Sequence, residues 1–277
     1  MNNDLGYTKN LFILPFDHRA SFAKMFGFTN LTQKEKEYIV LAKKLIYEAF
    51  KKAVSQSVPQ DQSAILVDEE YSDVVLKDAT QQGFTTILTT EKSGQEGFTF
   101  EYGRNFTEHI EKYNPTFAKA LIRYNPNVDW SNLKVLSDYC HNHGHKFLLE
   151  MLMGLDSVNA QNFLPAIERL RKKGIEPDVW KLEGMENKSD YESVVAKIRE
   201  GDRQNVGLVI LGRGESKEQV EEWIKAGKNV KGVIGFAVGR TMFSQPLIDY
   251  KNGKIDEEKL IGRISNNFQQ LYKLFIS

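Results

Sequence analysis

Eight short apolar runs punctuate the chain, and longer amphipathic segments separate most of them. The runs are LFILPFD from Leu11, AILVDEE from Ala64, FTTILTTE from Phe84 and KALIRYNP from Lys119. They continue with KFLLEMLM from Lys146, DVWKLEG from Asp178, VGLVILGRG from Val206 and GVIGFAVGR from Gly232. Runs of this length, set between periodic segments, read as buried strands. The segments between them read as helices. In NAQNFLPAIERLRKKG the apolar residues Phe163, Ile167 and Leu170 share one helix face, and Gly174 is a stop signal. SKEQVEEWIKAG repeats the design, with Ser216 as N-cap, acids in the first turn and Gly227 after the last. Eight strand-then-helix units predict an α/β fold, a single (β/α)8 TIM barrel spanning residues 1–277. The rival is a doubly wound open sheet. No G-x-G-x-x-G follows the first run, and no composition break, linker or low-complexity tract marks a second domain. The stretch KSGQEGFTFEYGRNFTEHIEKYNP, between the third and fourth runs, is the longest irregular one, and long connections on barrels usually belong to the active face.

Composition narrows the function. Lys+Arg and Asp+Glu both number 37, so no basic excess points to nucleic acid. No apolar run approaches the roughly 18 residues of a membrane span. The opening MNNDLGYTKN has no apolar core of a secretory signal. The single cysteine, Cys140, excludes an internal disulfide and fits a cytoplasmic, reducing setting.

Barrel sites lie at the C-terminal ends of strands, where inward side chains alternate with outward ones. Asp17, His18 and Arg19 close the first run, and Asp68, Glu69 and Glu70 close the second. Glu91 opens the long connection. Lys119 and Arg123 share parity on the fourth run, Glu150 is expected to end the fifth strand, and Lys181 and Glu183 share parity on the sixth. The last two runs end in Gly212-Arg213-Gly214 and Gly239-Arg240. Charges from at least six strand ends would therefore converge on one mouth.

Two features are chemically pointed. A lysine inside a strand is held rigidly and desolvated, which favours the neutral amine, and a second cation such as Lys119 favours it further. Lys181 is then a candidate nucleophile for Schiff-base formation with a ketone. The Gly-Arg turns on the last two strands suit a phosphate, because glycine lets backbone N–H groups approach closely. Together they suggest a phosphorylated carbonyl substrate. Simpler readings stand beside these. Lys181 could be an ion-pair partner of Glu183 or Glu150, Arg213 and Arg240 could bridge to helices, and Asp17 could cap the next helix. The tract YCHNHGHK, with Cys140, His141, His143 and His145, resembles a metal tract. It precedes the fifth run, at the N-terminal end of the barrel, and Gly144 marks a helix stop. We read it as a solvated turn and expect no metal there.

The motifs LPFDHRASF, EKSGQEGFTFEYGRNFTEHIEKYNPTFAKALIRYNP, PDVWKLEG, VILGRG and GFAVGRTMF closely resemble the aldolase-like domain fused to bacterial 5-dehydro-2-deoxygluconokinase in inositol catabolism. The resemblance runs from about Leu11 to the last helix. More distantly, the chain is similar to class I tagatose-1,6-bisphosphate aldolases, which share an ILVDEEY-like second strand and a DV-x-K-x-E sixth strand. No kinase domain precedes Leu11, so a free-standing version is expected. The resemblance implies a class I aldolase with no metal or other cofactor, acting on 2-deoxy-5-keto-gluconate 6-phosphate to give dihydroxyacetone phosphate and malonate semialdehyde. It implies Lys181 as the Schiff-base lysine and Glu150 as the acid/base, with Lys119 and Asp17 completing the catalytic set. His18, Arg19, Glu91, Arg123, Glu183, Gly212, Arg213, Gly214, Gly239 and Arg240 are the expected substrate-binding residues. Gly212 stands where the tagatose family has a phosphate-contacting serine. Ser244-Gln245 replaces a Trp-containing segment of the kinase-fused relatives. A separate sugar kinase and a second copy of the chain are the expected partners, with no nucleic acid and no membrane. The alternatives are a non-catalytic sugar-phosphate-binding barrel, a transaldolase, or an aldolase for another ketose phosphate or a sulfosugar.

Overall fold

The computed structural model describes residues 5–95, 97–155 and 157–277. The first four residues of the opening segment and Glu96 of the long connection lie outside the described residues. All eight runs form strands: β1 Leu11–Pro15, β2 Ser63–Val67, β3 Thr85–Thr89, β4 Phe117–Arg123, β5 Lys146–Leu152, β6 Val179–Glu183, β7 Gly207–Leu211 and β8 Val233–Ala237. Each pairs in parallel with the next, and β8 pairs with β1 to close the barrel. The helices are α1 Ala20–Met25, α2 Gln33–Gln56, α3 Glu69–Gln81, α4 Phe106–Tyr113, α5 Ser131–Asn142, α6 Ala160–Lys172, α7 Lys188–Ile198, α8 Lys217–Gly227, α9 Arg240–Lys251 and α10 Glu257–Ile276. The expected (β/α)8 barrel is what the chain forms.

Strand parity sorts the core into two. Leu11, Ile13, Ala64, Leu66, Ile87, Phe117, Leu148, Val179 and Val209 fill the barrel interior. Their alternates, among them Phe12, Leu14, Ile65, Phe147, Trp180 and Ile210, pack outward beneath the helices. A parallel sheet covered on both faces needs apolar residues at both parities, which is why the runs read as continuous rather than alternating. At the seam, β8 lies so close to β1 that a Cβ on Gly235 would sit 2.0 Å from the Leu11 carbonyl oxygen. No side chain larger than hydrogen fits there.

The helix signals carry over with small differences. Ser216 Oγ accepts from Gln219 N–H at 3.2 Å as the N-cap of α8. Gly174, at φ +73°, follows the end of α6. Gly227 is the last residue of α8 rather than the stop beyond it. Its reason is packing, since a Cβ there would meet Ile210 Cδ1 at 2.8 Å. The long connection is more ordered than expected. Glu91 bridges antiparallel to Phe100, and the last third is α4, whose Phe106, Ile110 and Tyr113 are buried.

The acids closing β2 do not reach the mouth. Asp68 caps α3 through Tyr71 N–H at 2.9 Å and pairs with Lys43, a side chain with 0% exposure. The Lys43 ammonium also lies 5.5 Å from the Phe22 ring centroid and 5.3 Å from that of Tyr71. Glu69 turns outward to His109 and Lys112. Asp68→Ala strands a buried ammonium and is expected to cost about 3–5 kcal/mol in denaturant unfolding. Chemistry at the mouth should survive in the folded fraction, and a stability within about 0.5 kcal/mol of wild type would show that the pair is dispensable.

Candidate active site

The charged residues sit one layer above the apolar plug. On β4, β5 and β6 an inward Phe117, Leu148 or Val179 is followed two residues later by Lys119, Glu150 or Lys181. A period of two places the second set on the same inward face, nearer the C-terminal mouth. The register makes Glu150 the direct cross-strand partner of Lys181. Both lysines are nearly sealed from solvent, at 1% for Lys119 and 2% for Lys181.

Lys119 is caged by carboxylates. Its Nζ lies 2.9 Å from Asp17 Oδ2, 2.6 Å from Glu91 Oε1 and 3.0 Å from Glu150 Oε2. Burial alone would favour the neutral amine, but the carboxylates outweigh it and hold the Lys119 pKa well above its ordinary value. Lys119 is therefore a fixed cation. Lys181 Nζ donates to Glu150 Oε2 at 2.9 Å, so one carboxylate oxygen bridges both ammonium groups. Burial pushes the Glu150 carboxyl up, yet the two lysines outweigh that and keep it below its usual range. Asp17 behaves alike: burial raises it, and Lys119, His18 and Lys181 together bring it far below the ordinary carboxylate value. Asp17 is thus a partner of Lys119 rather than the cap of α1, which has no side-chain cap.

Two chambers open around this cluster. One, of about 210 Å³, is lined by Lys181, Leu152, Leu211, Arg213, Gly214, Gly239 and Arg240. The other, of about 140 Å³, is lined by Asp17, Arg19, Glu91, Lys92, Ser93, Gln95 and Lys119. They share His18, Ser21, Leu121, Arg123 and Glu150 as a common wall. A roomier depression of about 800 Å³ lies at the opposite, N-terminal end beside Arg199, Lys228 and Ser277. It holds none of the buried carboxylate–lysine pairs, so the smaller mouth is the better candidate for chemistry.

The structure separates some residues expected together. Glu183 shares parity with Lys181, but β6 ends there and its carboxylate leaves the barrel axis. It accepts from Met153 N–H at 2.8 Å, pairs with Arg213 at 3.2 Å, and lines a side pocket with Trp223 and Glu186. Gly212 does not line either chamber. Its N–H bonds to the Ala237 carbonyl, and the space beside it is filled by Val238, whose Cγ1 would lie 2.9 Å from a Cβ. Arg19 lines the Lys119 chamber, but its guanidinium is engaged by Glu101 and by the Glu91 carbonyl, so it anchors the long connection. Arg213 has the left-handed φ of +54°, which is strained for an arginine, and its carbonyl accepts from Arg240 Nη2 at 2.5 Å. That bond lays the guanidinium across Gly214, where a Cβ would meet Arg240 Cζ at 2.7 Å. Gly239 is the N-cap of α9 and offers no side-chain cap, and a Cβ on it would collide with the Pro15 carbonyl at 2.2 Å.

Glu101, Ser21, Lys92, Ser93 and Gln95 belong to the site and were not singled out in the sequence. The YCHNHGHK tract lies at the far end, as its position before β5 suggests. It is less solvated than expected: Cys140 and His145 are buried, His145 Nδ1 lies 2.9 Å from the Pro115 carbonyl, and His141 meets Asp178 at 3.1 Å. Among the described residues no three His, Cys, Asp or Glu side chains are grouped to hold a metal ion. No helix among them is long and apolar enough to cross a membrane.

The fold and site define a closed (β/α)8 barrel with a buried lysine–carboxylate cluster at its C-terminal mouth. The chain belongs to the DUF2090 family, described as an uncharacterized protein conserved in bacteria, which it matches over residues 3–277. No curated protein matches the sequence. Among solved structures it resembles Cgl0159 from Corynebacterium glutamicum, with a TM-score of 0.60 and 19% identity, covering 94% of this chain and 86% of that one. It also resembles a Schiff-base-forming fructose-1,6-bisphosphate aldolase, with a TM-score of 0.59, 13% identity and coverage of 96% and 94%. An archaeal fructose 1,6-bisphosphate aldolase gives a TM-score of 0.59, 14% identity and coverage of 97% and 94%. At these identities the likeness establishes the barrel fold.

Proposed function

We propose that the protein is a class I aldolase that forms an imine on Lys181. The observation that carries this reading is the buried Lys181 Nζ at 2.9 Å from Glu150 Oε2, beside a second lysine locked as a cation. In this reading Glu150 takes a proton from the Lys181 ammonium, and the amine attacks a ketone carbon. The carboxyl then returns the proton to the departing oxygen, which leaves as water. The ammonium and ketone thus become a protonated imine and water, with no net proton change. The iminium accepts the electron pair of the breaking C–C bond, which a neutral carbonyl does poorly. Lys119 keeps Glu150 and Asp17 ionised and in place. The Schiff-base-forming fructose-1,6-bisphosphate aldolase of the same fold makes this chemistry an available use of the barrel.

The Lys181 chamber suits a phosphorylated ketone. Arg240, Gly214 and the α9 N-terminus at Gly239 lie together on its rim, with Arg213 beside them. Guanidinium and backbone N–H groups at a helix N-terminus are complementary to phosphate. The proposed substrate is 2-deoxy-5-keto-gluconate 6-phosphate. Cleavage between its third and fourth carbons gives malonate semialdehyde and dihydroxyacetone phosphate. In this reading the reaction belongs to inositol catabolism, downstream of a sugar kinase carried on a separate chain. Borohydride reduction in the presence of dihydroxyacetone phosphate tests the class: a stable adduct mapping to Lys181 supports it, and no adduct sinks it.

The phosphate assignment has its own test. Arg240→Ala should raise KM for the phosphorylated ketone by about 10–100-fold, consistent with loss of a charge-assisted contact of about 1.5–3 kcal/mol. It should barely change KM for a dephosphorylated analogue. Equal losses with both substrates would mean that Arg240 only braces the turn at Arg213.

A further inference from the structure

His18 is the one ring that faces both chambers. It follows β1 at the mouth and forms part of the wall between the Lys181 side and the Lys119 side. The ring is 27% exposed, yet its Nδ1 atom is buried and has no hydrogen-bond partner among the described residues. A buried polar nitrogen left unbonded calls for an explanation. The Asp17 carboxylate lies 3.8 Å from that nitrogen, too far to bond but near enough to stabilise a positive charge on the ring.

The other bases around the mouth are engaged. Lys119 binds Asp17, Glu91 and Glu150, and Lys181 binds Glu150 as well. Glu91 has a second oxygen without a hydrogen-bond partner, but it lines only the Lys119 chamber and does not face Lys181. A substrate attached as an imine at Lys181 and extending toward Asp17 runs along the shared wall, of which the His18 ring is a part.

We infer that His18 accepts the hydroxyl proton on Nε2 during C–C cleavage, with the sealed Nδ1–H turned toward Asp17, a role that rests on the imine reading of Lys181. The hydroxyl belongs to the carbon β to the imine carbon. Its proton moves to Nε2, and the O–H electron pair becomes the second bond of the new aldehyde carbonyl. The C–C bond breaks, and its pair enters the iminium to give a neutral enamine. The imidazole becomes imidazolium beside Asp17, so charge is conserved within the cavity. Burial, ahead of the opposing pull of Asp17, keeps the ring pKa down at about 4, so the acceptor is neutral at pH 7. The imidazolium passes its proton to water at the mouth once the aldehyde has gone. Protonation of the enamine carbon is a separate, later step.

His18→Asn tests this, because the amide still offers a hydrogen-bonding group but cannot take the proton. Three readouts separate the steps. Borohydride trapping of dihydroxyacetone phosphate reads imine formation. Exchange of that compound's carbon-bound hydrogen into D₂O reads enamine formation without C–C cleavage. Release of malonate semialdehyde from 2-deoxy-5-keto-gluconate 6-phosphate reads cleavage. The expected result is trapping and exchange within about 3-fold of wild type and cleavage slower by roughly 10²–10⁴-fold. Cleavage that stays within about 3-fold overturns the role, and so does a parallel fall of exchange and cleavage, which would mark the ring as a brace for the imine. Trapping by the variant also shows that it is folded. A wild type that cannot be trapped at all overturns the Lys181 reading, and this inference falls with it.

Discussion

Lys181→Met should lower turnover by at least about 10⁴-fold, the scale seen when a covalent nucleophile is removed, and should leave the fold intact. Methionine matches the length of the lysine stem and suits an interior position with 2% exposure. Lys181→Arg should be equally inactive, because a guanidinium keeps the positive charge beside Glu150 but does not form the imine. The two variants together separate charge from nucleophilicity. Neither should give a borohydride adduct, while the wild type should carry one on Lys181. EDTA should leave the wild type active, since the iminium is the electron sink. Retained turnover in either variant, or activity lost on chelation and restored by zinc, would refute imine catalysis. Lys181 would then be an ion-pair partner of Glu150.

Lys119→Met should be a defect of stability as much as of activity. It leaves Asp17, Glu91 and Glu150 facing one another with only Lys181 among them. Breaking a buried ionic cluster in this way costs about 3–5 kcal/mol, or a fall in Tm of roughly 6–20 °C for a chain of this size. The pH dependence has a definite sign. In the wild type the depressed pKa values of Asp17 and Glu150 contribute stability above the ordinary carboxylate range, which is lost as pH falls. Without Lys119 that contribution shrinks or reverses, because the crowded carboxyls now favour protonation. The difference between variant and wild type should therefore be largest near pH 7 and narrow as pH falls through the ordinary carboxylate range and below it. A difference independent of pH over that range would mean that the loss comes from packing rather than charge. Turnover should fall as well, since Glu150 loses one of the two cations that hold it ionised.

Much of this site was legible in the sequence because strands have a period of two. Val179 and Lys181, Leu148 and Glu150, and Phe117 and Lys119 each follow the rule that an apolar interior residue precedes a charged one on the same face. The rule fails at Glu183, the last residue of its strand, whose carboxylate is claimed by the Met153 N–H and by Arg213. Parity names a face for a strand-end side chain but not its partner, and these partners lie on other segments. The second strand misled for a related reason. Asp68 sits at a strand end, but the three residues to Tyr71 also have the spacing of an N-cap, and the buried Lys43 on α2 claims the same carboxylate. The sequence could show the cap but not the partner, which lies 25 residues upstream on a helix packed outside the barrel. The spacing of Phe106, Ile110 and Tyr113 is helical and would have revealed α4 within the long connection. Glu101 carried no such signal. Its role depends on Arg19, and only folding brings the two together. The glycines show the same limit: Gly239 and Gly212 look alike as turn residues, but one rims the cavity while the other has its N–H committed to Ala237.

The seam between β1 and β8 sets the order in which this protein can become competent on the ribosome. Leu11, Phe12 and Ile13 find their partners Gly235, Phe236 and Ala237 only after about 220 further residues have been made, a delay of roughly 10–45 s at 5–20 residues per second. Throughout that interval the first strand has an unpaired edge. Lys119, Glu150 and Lys181 can already lie on adjacent strands, but Arg240 has not yet been synthesised. The nascent chain thus acquires its amine before it acquires the rim that would select a ligand. Closure of the seam brings Gly239 against the Pro15 carbonyl, two residues before Asp17, and so joins the rim to that acid. A substitution at Gly235 would act mainly on this last step. It should show up as aggregated or protease-sensitive nascent chain, rather than as a folded barrel with an altered mouth.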